Sequence, residues 1–189
     1  NRCLTYPTVK ESEEHVYLFK SNNAKLCKSI NYISMTNEYL IQFWLKPVVL
    51  SGYDIISQSF TNTNGFAIKA INDNGYKIAI VKNSITYIKG TLANTWAHYA
   101  FRRNQNKLDL YINNKRIITE TLTSLEPILS NNDHLCFANS ANEGVDLFYM
   151  RELIMFNYLI PEIFLTNLYQ TKMDYFDLYP VAYFKFEDS

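Results

Sequence analysis

A chain of 189 residues with 18 Lys and Arg against 18 Asp and Glu carries no formal net charge. Its only basic pairs are Arg102–Arg103 and Lys115–Arg116; nucleic-acid binding needs many phosphate-neutralising cations, so that class is set aside. No apolar stretch approaches the roughly 20 residues of a membrane span, and the length suits one well-buried domain.

In chain order, short runs with strand character recur between Asn, Asp, Ser and Gly clusters. They fall at 15–20, 39–46, 54–59, 65–71, 77–82, 85–89, 96–103, 108–113, 117–122, 134–138, 146–156 and 181–187. Such spacing predicts a sandwich or barrel. The clearest hairpin is "LDLYINNKRI": Leu108, Leu110 and Ile112 alternate with Asp109 and Tyr111, the period of a strand buried on one face. Asn113–Asn114 then suits a two-residue type I′ turn, which needs positive φ at both positions. Helical spacing occurs once, near 161–170, where Pro161 suits a first helical position. Ile163, Phe164, Leu168 and Tyr169 can then share a side.

Several segments now fall into a known order. "EYLIQFWLKP", "GFAIKAINDNGYKIAIV", the Trp96-x-His98 strand with its hairpin through Tyr111-Ile-Asn-Asn-Lys, "HLCFANS" and "RELIMFNYLIPEIFLTNLY" resemble the laminin G-like, concanavalin A-like lectin superfamily. Asn114 stands where that family usually has Gly. The chain is also similar to the N-terminal subdomain of clostridial neurotoxin receptor-binding regions, which is likewise Asn- and Tyr-rich with a Phe-Trp strand. The resemblance runs from about Val16 to Tyr169 and implies an all-β, two-sheet antiparallel jelly-roll sandwich. On this reading 1–15 is a lead-in and 16–189 a single domain, part of a larger secreted or surface protein. "PVAYFKFEDS" either closes the sheet or opens a following repeat; closure is the expectation, because an unpaired apolar strand invites aggregation.

The superfamily includes glycanases. A retaining glycosidase needs two carboxyls about 5 Å apart. Asp146 with Glu152, Glu143 with Asp146, and Glu11, Glu13 and Glu14 are the pairs to consider. None has suitable strand spacing, and the glucanase Glu-x-Asp-x-x-Glu pattern is absent. His15, His98 and His134 lie far apart in sequence, and no Ser or Cys sits in a nucleophile elbow. His98 falls where the family has a structural residue. The chain is expected not to be an enzyme.

Calcium would need several convergent oxygens. The oxygen-rich loops Asn72–Gly75 and Ser130–Asp133 hold one acid each, and Asx-rich loops form turns without metal, so no cofactor is expected. Tyr53, Tyr76, Tyr87 and Tyr111, beside Asn-rich turns, are the candidate ligand-contacting residues. The resemblance places Cys27 and Cys136 on neighbouring strands, where they would form a disulfide; two buried thiols are the alternative, and Cys3 would be free or paired elsewhere. The expected function is non-catalytic recognition or adhesion outside the cell or at its surface, with a protein partner ahead of a glycan. A lectin-type or toxin receptor-binding carbohydrate module is the alternative, and a degenerate glycosidase a third reading.

Overall fold

In the computed structural model, which describes residues 16–21, 27–29, 35–58, 65–124, 126–127, 134–141, 144–170, 180 and 182–184 (27–29 and 134 by backbone alone), two antiparallel sheets stack face to face. The strands are β1 (Tyr17–Lys20), β2 (Cys27–Ser29), β3 (Glu38–Pro47), β4 (Tyr53–Ser57), β5 (Ala67–Asn72), β6 (Tyr76–Lys82) and β7 (Ile85–Thr91). After them come β8 (Ala97–Asn104), β9 (Lys107–Ile112), β10 (Lys115–Thr121), β11 (His134–Ser140), β12 (Asp146–Phe156), helix α1 (Glu162–Tyr169) and β13 (Ala182–Phe184). One sheet has the order β1-β12-β3-β8-β9-β10, with β13 also on β12; the other runs β2-β11-β4-β5-β6-β7. The chain is therefore the all-β sandwich that its strand spacing implied.

Alternation builds the core. From β3, Tyr39, Ile41, Phe43 and Leu45 face the second sheet, and they meet Ile68 and Ala70 of β5 and Ile78 and Ile80 of β6 in one buried cluster. Hydrophobic burial of this kind is worth about 25 cal/mol per Å² of apolar surface. Yet β3 does not simply alternate, for Leu40 is equally buried on the opposite face. There Leu40, Ala100, Tyr111, Ile154 and Phe156 form a second cluster beneath Ile160, Leu165 and Leu168. The helix is thus the cover that lets part of the first sheet be apolar on both sides.

Pro161 flanks the helix as its N-cap residue, so the first turn opens on Glu162, one position later than the sequence suggests. Its carboxylate there complements the helix dipole. Leu165 and Leu168 are the buried residues, with Phe164 packed against them. Ile163, expected on the same side, is 77% exposed: at 100° per residue it lies far round the helix from Leu165 and Leu168. The Arg102 side chain fixes the approach to the helix. Its Nε donates to the Ile160 carbonyl at 2.8 Å, and its Nη1 meets Asp109 Oδ2 at 3.3 Å. Arg103 donates to the Gln105 and Pro127 carbonyls at 2.9 and 2.7 Å. The basic pair is structural.

A bulge in β12 changes which residues face inward. Phe148 and Met150 point to the core before it, Leu153 and Met155 after it. The register slips between Arg151 and Ile154, and Glu152 has φ +51°. One inserted residue reverses the side-chain parity of everything beyond. The outer edge of β12 changes partner there too: β1 pairs with 146–150 and β13 with 153–155. The C-terminal strand thus joins the same sheet as β1, beyond its end.

The β9–β10 hairpin closes on a two-residue turn with φ +49° at Asn113 and +63° at Asn114. Both asparagines also tether neighbours. Asn113 Oδ1 accepts the His98 backbone N–H at 2.9 Å, and Asn114 Nδ2 donates to Thr166 Oγ1 of the helix at 3.1 Å.

Candidate functional site

The outer face of the second sheet carries a cleft of about 460 Å³ across β11, β4 and β5, within the usual size of ligand pockets. Three facing residues form a polar row across those strands. Register sets Asp54 opposite both Lys69 and Asn139. Lys69 Nζ lies 3.0 Å from Asp54 Oδ1, and Asn139 Nδ2 donates to Asp54 Oδ2 at 3.3 Å. Two irregularities create this row. A register shift between Asp54 and Ile56 lets Asp54 and Ser57 share the cleft while Ile55 and Ile56 both enter the core. In β11, Ala138 takes φ +55°, an uncommon conformation for a residue with a Cβ, immediately before Asn139.

Small residues keep the cleft open: Gly52, Gly65, Ala67 and Ala141 line it beside Phe66 and Ile71. Ser57 is 3% exposed, and its Oγ has no hydrogen-bond partner among the described residues. A buried hydroxyl left unpaired costs about 1–3 kcal/mol, and this one lies in the wall of the cleft. A carboxylate flanked by an ammonium and an amide, with a spare hydroxyl nearby, offers donors and acceptors to a polyhydroxylated molecule.

The four tyrosines singled out from the sequence do not converge. Tyr53 borders the cleft but is 3% exposed, its ring stacked on Phe148 at 5.5 Å; burial pushes its hydroxyl pKa up. Tyr111 is 3% exposed beneath α1, and burial, aided by the Asp109 and Glu162 carboxylates, pushes its pKa up to about 12. Tyr87 packs against the core, and Tyr76, at 45%, is the exposed member. Tyr53 and Tyr111 are therefore corrected from exposed contact residues to packing residues, because each sits on a strand face that another layer covers.

The acid pairs fare similarly. Asp146 is ion-paired with Lys20 at 3.4 Å, and Glu152 stands six residues further along β12, roughly 20 Å at strand rise. Glu11, Glu13, Glu14 and Glu143 lie outside the described residues. In the Asn72–Gly75 loop, Asp73 is bound by Lys89, which holds its carboxyl below the ordinary range. Asn74 and Gly75 have positive φ there, so the loop forms a turn. Residues 130–133, the other oxygen-rich loop, fall outside the described residues. Those residues contain no group of three His, Cys, Asp or Glu arranged for a metal, and none of their helices is long and apolar enough to cross a membrane. Cys136 is disulfide-bonded, and Cys27 is its Cα partner across the β2–β11 ladder; the Cys27 side chain and all of Cys3 lie outside the described residues.

A two-sheet sandwich with its helix on one outer face and a polar cleft on the other is a lectin-like architecture. The model of the Concanavalin A-like lectin/glucanases superfamily matches residues 20–158, and the chain belongs to that superfamily. Among solved structures it is similar to the binding domain of Paraclostridial Mosquitocidal Protein 1, at 15% identity and a TM-score of 0.61 over 83% of this chain and 46% of that one. The botulinum neurotoxin serotype G binding domain gives 18% identity and 0.61 over 83% and 45%. Domain 4 of AbnA, a GH43 extracellular arabinanase from Geobacillus stearothermophilus, solved in complex with arabinotriose, gives 14% and 0.55 over 82% and 88%. The chain thus spans about half the length of the toxin binding domains and most of the arabinanase domain. At these identities the likeness is one of fold. No curated protein matches the chain in sequence.

Proposed function

We infer that this domain is a non-catalytic carbohydrate-binding module acting outside the cell or at its surface, with its ligand in the cleft of the second sheet. The carrying observation is the Lys69–Asp54–Asn139 row beside the unpartnered Ser57 hydroxyl in an open cleft. Buried polar groups that await partners discriminate strongly for ligands able to supply them, and sugars present hydroxyl pairs of that kind. The arabinanase domain, matched over nearly its whole length, holds a trisaccharide. Clostridial binding domains share the same sandwich. A disulfide at Cys136 suits an oxidising compartment. These observations support a glycan ahead of the protein partner expected from the sequence, since a protein interface would draw on exposed aromatic anchors and of the four tyrosines only Tyr76 is exposed.

The test is calorimetric titration of the folded chain with oligosaccharides selected on a glycan array, in calcium and in EDTA. Saturable binding insensitive to EDTA is expected, weakened about tenfold or more in Asp54→Ala and in Ser57→Val. A blank array from folded protein, or affinity untouched by both substitutions, would overturn the assignment.

A further inference from the structure

The opposite outer face, on the first sheet, carries a cluster that the cleft does not use. Register aligns Arg151 of β12 with Trp44 of β3 and His98 of β8, and beside them Tyr149 with Lys46. The Arg151 guanidinium lies 4.6 Å from the centre of the Trp44 ring and 5.2 Å from that of Trp96. Lys46 Nζ stands 5.6 Å from the Tyr149 ring. Tyr169, the last helical residue, stacks on Trp44 at 5.4 Å and meets His98 edge-on at 5.3 Å. The two tryptophans, both tyrosines and Arg151 are half-buried, and Lys46 is exposed.

Two features point beyond packing. Lys46 has no ion-pair partner among the described residues, although it stands at the end of a strand beside a second cation. His98 Nδ1, buried in the same cluster, has no hydrogen-bond partner among them either. The Arg151 guanidinium, which remains protonated, is held between indole faces, and Glu152 acts on it electrostatically from the next position.

We propose that this aromatic–cation platform is a second binding site, and that it takes a saccharide bearing a carboxylate or sulfate. Arg151 and Lys46 meet the anionic group, and the face of Trp96 turned away from Arg151 meets the C–H face of the sugar ring, since Tyr169 and Arg151 already occupy the Trp44 ring. Both halves of that chemistry are required. A bare phosphate or sulfate would leave the aromatic faces unused. An extended nucleic acid needs more cations than this neutral chain assembles. A lipid surface is met by protruding apolar side chains, whereas both tryptophans are half-sunk in the sheet. The site is independent of the cleft, which lies on the other sheet.

Trp44 and Trp96 are the only tryptophans in the chain, so intrinsic tryptophan emission reports on this platform alone. The full chain is titrated with a galacturonate oligomer, a sulfated galactose oligomer and an uncharged galactose oligomer. A saturable emission change with either charged oligomer is expected, weakened by high salt and absent with the neutral one; which of them acts identifies the anionic group. Lys46→Gln, an exposed substitution that leaves the fold intact, and Arg151→Gln should each weaken it about tenfold. If Arg151→Gln fails to fold, the Lys46 variant decides. Emission unmoved by both charged oligomers, moved equally by the neutral one, or unaffected by Lys46→Gln would overturn the proposal. So would a response to anionic phospholipid vesicles alone, which would reassign the platform to a membrane surface. Asp54→Ala should leave this signal unchanged, so the two sites fail separately.

Discussion

At the scale of single residues, His98 shows how one buried ring links the fold to pH. Burial alone pulls its pKa down to about 3, so the imidazole is neutral in the folded protein at any physiological pH. The unfolded chain takes up a proton near the ordinary value of about 6.5. Between those two values the unfolded state binds more protons. The contribution to stability is therefore complete above about pH 6.5 and is lost as pH falls towards 3. Its size is on the order of a few kcal/mol. His98→Phe keeps a ring against Trp44 and Tyr169 and removes the unpaired nitrogen, while the main-chain bond to Asn113 stays. Unfolding free energy near pH 7 should change by less than about 1.5 kcal/mol. Its decline between about pH 7 and pH 4 should be shallower than in the parent by an amount of that larger order. Urea melts across this range decide the matter, and identical pH slopes in the two proteins would refute it.

At the scale of elements, period-2 patterning made most strands legible, and the Asn113–Asn114 pair made the turn so. What it hid were the irregularities that position both sites. Asp54 and Ser57 are three apart, an odd separation that strict alternation sends to opposite faces; only the β4 bulge brings them together. Ile154 likewise reads as continuing the phase of Phe148 and Met150, and Leu153 as leaving it, until the insertion at Glu152 reverses both. Bulges of this kind lack a side-chain signature when the inserted residue is neither Gly nor Asn, and here they fall at Ile55 and Glu152. The tyrosines misled for a related reason. Proximity to an Asn-rich turn says nothing about which face a strand residue takes, nor that a helix covers Tyr111. Close approach between sheets is equally silent in sequence. A Cβ on Gly90 of β7 would stand 2.5 Å from Leu110 Cδ2 and 3.5 Å from Ile112 Cδ1. Leu110 is wholly buried and has nowhere to swing. Gly90→Ala is expected to destabilise by about 1–3 kcal/mol, and Gly90→Val by more. Equilibrium melts that place Gly90→Ala level with the parent would show that β7 and β9 part freely.

At the scale of the whole molecule, the sandwich brings together strands remote in sequence, and its second sheet ends on one of its shortest. The edge strand β2 has three residues and pairs only with β11, where Cys27 faces Cys136 in register. Three ladder positions hold an edge weakly, and short edges fray first. Cys136 is oxidised, and register makes Cys27 its expected partner. The family resemblance already implied that neighbourhood and a disulfide across it, with two buried thiols as the alternative, since oxidation depends on compartment. A bond between residues more than a hundred positions apart restricts the unfolded chain strongly, by about 5 kcal/mol on the chain-entropy account. It also anchors β11, whose Asn139 completes the polar row of the cleft. Replacing both cysteines by Ser should therefore lower unfolding free energy by about that amount and weaken glycan binding at the cleft. The tryptophan signal from the opposite face should persist. Peptide mapping without reductant gives the direct answer: a Cys27–Cys136 cross-link is expected, and a Cys3–Cys136 cross-link would mean that the N-terminal residues, not β2, are tied to the sheet beneath the cleft.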